Sequence, residues 1–178
     1  MDRRIKMIWF TADQHFWHEN IIEYCKRPFT TANKMNDAII RNYNQLVKPE
    51  DTVYFLGDLT LLGVASLPNA EGIMKRLPGK KIFIYGNHDK LRPFDYVDIG
   101  FESAHTSLVL EEFKDVYKTI LVHDPAAATY WNKDILWLCG HIHTIFKRHW
   151  NIVNVGVDVW DFKPVSYDDV MKLYKEGK

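Results

Sequence analysis

Eight polar residues of this chain stand directly behind apolar runs: Asp13, His15, Asp58, Asn87, His88, His123, His141 and His143. They include five of its eight histidines, so imidazole is concentrated where strands would end. Taken singly, each residue has an ordinary explanation as a turn or cap. Unrelated turns do not place histidines behind four separate apolar runs. Imidazoles and carboxylates together suit divalent zinc, manganese, iron or nickel better than calcium or magnesium, which favour all-oxygen shells. Seven groups able to bind metal exceed the need of one tetrahedral site, so the count points to two ions. Asp13-x-His15 and His141-x-His143 would chelate from one face if the backbone is extended. Asp58, with two oxygens, is the natural bridge. Two ions roughly 3.5–4 Å apart can clamp the attacking and leaving oxygens of a phosphoryl displacement.

These side chains must be positioned by strands. Met7–Phe10, Thr52–Leu56 and the run from Ile82 read as buried strands, each ending in a polar cluster. Helical spacing predicts a short helix after His18, Glu19 and Asn20, an amphipathic helix over Asn33–Val47, and a third over Pro68–Leu77. Strands alternating with helices pair in parallel and end on one rim, where open α/β sheets place ligands. In the second half, Thr106–Phe113 and Tyr117–Val122 flank Lys114-Asp115 as a hairpin. Strands follow at Ile135–Cys139 and Ile152–Val157, and Ser166 opens a last helix. Shorter strands without long helices predict a second, more antiparallel sheet packed on the first.

The 178 residues are expected to form a single domain, residues 1–178. Zero formal net charge gives no global attraction for nucleic acid or an anionic membrane. Lys75-Arg76 and Lys80-Lys81 make only a local basic patch. Cys25 and Cys139 lie far apart and read as reduced thiols. No secretory signal or membrane-length apolar run is evident. The expected setting is the cytoplasm.

The series Asp13-x-His15, Gly57-Asp58, Gly86-Asn87-His88-Asp89, His123 and Gly140-His141-x-His143 spans about 130 residues. It resembles the calcineurin-like metallophosphoesterase superfamily. Among its members the chain is similar to the small bacterial and phage-type phosphoesterases, through His15–Phe29 and Asn154–Asp158. The resemblance implies a four-layer α/β/β/α sandwich of two mixed β-sheets flanked by helices. It implies two divalent ions, manganese foremost, with zinc, iron or nickel as alternatives. Asp13, His15 and His143 would bind the first ion and Asn87, His123 and His141 the second, with Asp58 shared. His88 would contact the phosphate and protonate the leaving oxygen, oriented by Asp89.

The expected function is a phosphodiesterase acting on a small or nucleotide-like phosphoester, by attack of a hydroxide held between the ions. The alternatives are a phosphomonoesterase or protein phosphatase, then a nuclease. From another class, the alternative is a non-catalytic interaction module that keeps the fold. His18, Asn20 and Arg27 are candidates for substrate binding at the mouth. For Arg27, an exposed structural arginine is the competing reading. Trp17 would stack on a base or fill core beside Phe16, and Asp158 would support the centre or close a turn. Gln14 stands where a small Ser or Thr is common and is expected to alter the mouth.

Overall fold

The computed structural model describes residues 5–60, 67–111, 118–129, 132 and 134–176. Its first sheet pairs five strands in the order Val165–Ser166, Ile8–Thr11, Thr52–Leu56, Lys80–Ile84 and Ser103–His105. Strands β1 (Ile8–Thr11), β2 (Thr52–Leu56), β3 (Lys80–Ile84) and β4 (Ser103–His105) run parallel, and β10 (Val165–Ser166) is antiparallel to β1. The second sheet has the order β5-β6-β7-β9-β8. Here β5 (Leu108–Leu110) is antiparallel to β6 (Lys118–Leu121). Parallel pairing continues to β7 (Ile135–Cys139) and β9 (Ile152–Asn154), and β8 (Arg148–His149) closes the edge antiparallel. The expected antiparallel character is therefore confined to the edges, because the chain crosses over from β6 to β7 and from β7 to β9. The turn expected at Lys114-Asp115 lies outside the described residues.

The helices follow from their sequence. In α2 (Ala32–Leu46), Met35, Ile39 and Tyr43 recur at helical spacing and are buried. Thr31 caps its start by accepting from the Lys34 amide at 3.3 Å. The Glu19 carboxylate, in α1 (Glu19–Tyr24), takes the Ala32 amide at 3.0 Å. With α3 (Leu67–Met74) and α4 (Pro93–Asp98), α2 covers the outer face of the first sheet. Phe83 and Phe55 are buried in that core, each ring packed on Phe101. Phe10, Tyr54, Leu56 and Ile84 face Leu121, Leu136, Leu138 and Val153 in the core between the sheets, which α5 (Tyr167–Lys175) joins through Val170 and Tyr174. The outer face of the second sheet is covered by a 3₁₀ turn, Pro125–Ala127, and by Ile142 and Phe146. The result is two mixed sheets between helical covers.

Asp51 locks the entry to the first sheet. Its buried carboxylate accepts from the Met7 amide at 3.0 Å, the Lys48 amide at 3.0 Å and the Trp9 indole at 3.1 Å. The expected strand Ile152–Val157 stops at Asn154, where the backbone turns towards the first sheet. Ala12 and Gly156 form a parallel bridge there, and a 3₁₀ turn at Val157–Val159 follows. That bridge joins the two rims on which the polar clusters stand.

Candidate metal centre

The strand-end residues meet on this rim. The backbone at Asp13, His15, Asp58, His141 and His143 is left-handed, with φ between 45° and 70°. Left-handed L-residues are strained, so the surroundings must hold them. The two Asp/His-x-His pairs therefore do not chelate from an extended strand, as their spacing suggested; the chain curls at each strand end instead. Backbone bonds brace the curl: the Asp13 amide donates to Gly57 carbonyl and the His15 amide to Asp58 carbonyl, each at 3.0 Å. Gly86 is required by closeness, since a Cβ there would be driven into the Asp58 carboxylate.

Asp58 lies at the middle. Its Oδ1 accepts the His88 amide at 3.0 Å. Its Oδ2 faces His123 Nε2 at 3.4 Å, His15 Nε2 at 3.5 Å and His88 Nε2 at 4.0 Å. Asn87 Oδ1 lies 2.9 Å from both His123 Nε2 and His141 Nδ1. His123 turns its other nitrogen to the Leu56 carbonyl at 2.7 Å, which fixes the ring and aims Nε2 into the site. The His141 amide donates to both Asp13 oxygens at 3.0 Å.

The donor set fits divalent ions. Asp13, His15 and His143 offer ligand atoms within 4.8 Å of one another, as do Asp13, Asp58 and His123. Asp13 belongs to both groups, and Asp58 reaches His15 of the first, so both carboxylates stand between them. Among the described residues His15 Nε2 is buried without a hydrogen-bond partner, an arrangement that costs stability unless a ligand satisfies it. Burial pushes the His15 imidazole down to about 3, so it is neutral and its lone pair is free to coordinate.

Protons hold the centre together when no ion does. Burial pushes the Asp13 carboxyl up to about 6, against the pull of His123 and His143. Burial would also raise Asp58, but the hydrogen bond and charge of His123 hold it at about 2. His123, despite burial, is pushed up to about 9 by Asp58 and Asp13. His143, half-buried, is pushed up to about 10, chiefly by Asp158. A metal ion held by His123 and His143 would have to displace the protons on both rings. Apparent affinity should therefore rise with pH until about 9–10, and should fall further below about 6 as Asp13 is protonated. Calorimetry in buffers of different ionisation enthalpy should show about two protons released near pH 8. Affinity that is flat from pH 6 to 9 would contradict this charge assignment.

Three expectations are corrected. Arg27 does not face substrate: it is buried and makes five hydrogen bonds inside the protein. Its guanidinium forks onto Asp158 at 2.7 and 2.8 Å and reaches the carbonyls of Asp13 and Gln14 at 2.8 and 3.0 Å. Asp158 in turn takes His143 Nδ1 at 2.8 Å, so Arg27 orients a metal-capable histidine through an intermediary. Asp89 does not orient His88. Its Oδ2 takes the amides of Asp58 and Gly86 at 2.7 Å and its Oδ1 that of Leu59 at 3.2 Å, which fixes the Asp58 loop. Gln14 is buried and turned inward, donating to Thr11 Oγ1 at 2.7 Å, so it does not shape the mouth.

His18 is half-buried beside the cluster, with its Nδ1 3.4 Å from His15 Nδ1. Asn20 is exposed in the first turn of α1 and, among the described residues, has no hydrogen bond to the cluster. Cys25, which sequence reasoning treated only as a thiol, lies with His143 and Asp158 behind the centre. Its position in the metal-proximal loop was the available signal. Replacing Arg27 by Met keeps the volume but frees Asp158 and His143. Metal affinity should fall about 10- to 100-fold, as for supporting residues of other metal sites. Unchanged affinity by metal titration would remove Arg27 from the support of the centre.

The sequence profile of the calcineurin-like phosphoesterases matches residues 6–176. An uncharacterised protein of Methanocaldococcus jannaschii, MJ1445, is 34% identical over 98% of this chain and 94% of its own length. The gene 66 protein of Mycobacterium phage L5 is 26% identical, over 93% of this chain and 92% of its own. The crystal structure of AQ665 from Aquifex aeolicus, a protein of unknown function, superposes with a TM-score of 0.75 at 29% identity. It covers 95% of this chain and all of that one.

Proposed function

The chain belongs to the calcineurin-like phosphoesterases, and on that premise we propose that it cleaves small or nucleotide-like phosphodiesters at a two-ion centre. Asp13, His15 and His143 would hold one ion, Asn87, His123 and His141 the other, and Asp58 both. The observation that carries this reading is the position of Asp58 Oδ2, which faces imidazoles of both ligand groups and of His88 within 4.0 Å. When bound, two divalent ions supply Lewis acidity and lower the pKa of water from about 15.7 towards about 7.

The chain's own groups do the rest. Asp58 and Asp13 compensate the cationic charge. Asp89 holds the Asp58 loop at its backbone, so the carboxylate meets the site without reorganising. The His88 imidazole is 45% exposed and stands over Asp58, where its Nε2 can give a proton to a leaving oxygen. His18 lies next to it and can donate to a phosphate oxygen. The diester preference is supported by Arg27: with that guanidinium withdrawn into the protein, the mouth offers imidazoles to a singly charged ester. A doubly charged monoester would want the stronger cation. The nitrogen and oxygen donor set suits manganese, zinc, iron or nickel, and manganese is the ion we favour. The absence of any pairing between Cys25 and Cys139, both free thiols, fits a cytoplasmic setting. Among the described residues no helix is long and apolar enough to cross a membrane.

Turnover of bis-p-nitrophenyl phosphate against p-nitrophenyl phosphate, with manganese, nickel or zinc, tests this reading. The diester should be cleaved with the higher kcat/KM. Faster monoester turnover would replace the reading by a phosphomonoesterase. No turnover of either would favour an interaction module.

A further inference from the structure

We propose that the cleft beside Trp17 seats a nucleobase, which makes the ester cut at the metal centre a nucleotide ester; the proposal rests on the phosphoester reading above. The cleft lies between α2 and α3 and has a volume of about 280 Å³, close to the lower end of small-molecule sites. Trp17 and Asn33 line it with Asn36, over a floor of Ile40 and Ile73. An aromatic wall, apolar floor and side-chain amides are what a flat, polar-edged heterocycle requires: a face to stack on and groups to meet its edge.

Trp17 carries the inference because its placement is strained. Its φ is 62°, a left-handed conformation in which a bulky residue is an outlier. Asn36 holds it there, its buried Oδ1 accepting the Trp17 amide at 3.2 Å. Phe16, one residue earlier, is fixed by a parallel bridge to Thr60. Phe16 is buried in the core, whereas Trp17 packs against its edge and stays half-buried, which leaves part of its ring to line the cleft. Strain that the surroundings enforce points to function.

The aromatic wall of the cleft belongs to the same loop as a metal-capable residue. Trp17 follows the metal-capable His15 by two residues, which an extended chain separates by at most about 7 Å. In the proposed complex a sugar would join a phosphate on that rim to a base stacked on Trp17. At the far side Asp37 and Arg76 approach only to 3.8 Å, and both side chains are more than half exposed. They can therefore re-pair with the edge of an entering base.

The test compares adenosine 5′-(p-nitrophenyl phosphate) with methyl p-nitrophenyl phosphate, which release the same phenolate and differ only in the retained group. The ratio of their kcat/KM values should favour the adenosine ester. That ratio should drop about 5- to 150-fold in Trp17→Ala, the range set by losing one base stack, and should survive in Trp17→Phe. Asn33→Trp, at an exposed helix position, should fill the cleft and lower the same ratio without touching the core. Binding of adenosine, which has no phosphate, is followed in parallel by saturation-transfer NMR and should vanish in Trp17→Ala and Asn33→Trp. A ratio near one in the wild type, or one that neither variant moves, overturns the proposal while leaving the phosphoester reading intact. If neither ester turns over, the phosphoester reading fails; adenosine binding abolished by both variants still supports the base site, and no binding overturns it.

Discussion

Asp58→Asn should abolish turnover and lower the metal content from two ions per chain to one or fewer. The carboxylate Oδ2, which faces His15, His123 and His88 within 4.0 Å, becomes an amide nitrogen that cannot coordinate. Oδ1 can still accept the His88 amide, so the local fold keeps its main tie. The loss in kcat should be at least about 10³-fold, since removing even one stabilising donor typically costs about 10²–10³. His123 should also lose most of the upward push on its pKa, because Asp58 supplies its largest favourable partner. Metal content by mass spectrometry, a thermal melt and kcat together check this. An Asp58→Asn protein with two ions and full activity would remove Asp58 from the bridge.

His88→Asn should separate chemistry from metal binding. The backbone amide of residue 88 still bonds to Asp58, and the lost ring is 45% exposed, so little packing is disturbed. Metal content should stay at the wild-type value while kcat falls about 10²–10⁴-fold, the usual worth of a general acid. The fall should be steeper for alkyl leaving groups than for p-nitrophenolate, because a good leaving group needs less protonation. An equal fall for both would make His88 a phosphate-binding residue instead of an acid.

The rim was legible because each ligand cluster follows an apolar run. Thr52–Leu56 and Ile135–Cys139 are strands over the expected residues, and long apolar runs with abrupt polar ends leave little ambiguity. The covering elements were harder. The helix Pro93–Asp98 has only six residues, and its start depends on a reciprocal contact between Arg92 and Asp95. Strands β4, β8 and β10 have three, two and two residues, too few for alternation to register. Their pairing is decided by neighbours distant in sequence.

Within the centre, residue types were easier to read than partners. Arg27 and Asp158 are 131 positions apart, and nothing in either neighbourhood announces their fork. Asp89 follows His88 in sequence, yet its oxygens turn back to the amides of Asp58, Leu59 and Gly86. The left-handed backbone of Asp13 and His15 was equally hidden, since neither is a residue that asks for positive φ as glycine does.

The chain is expected to place two divalent ions on the rim. Anomalous diffraction from a crystal grown with manganese tests it most directly. Two peaks are expected roughly 3.5–4 Å apart, one against His15 and His143, the other against Asn87, His123 and His141, with Asp58 touching both. A single peak, or two that do not share Asp58, would contradict it.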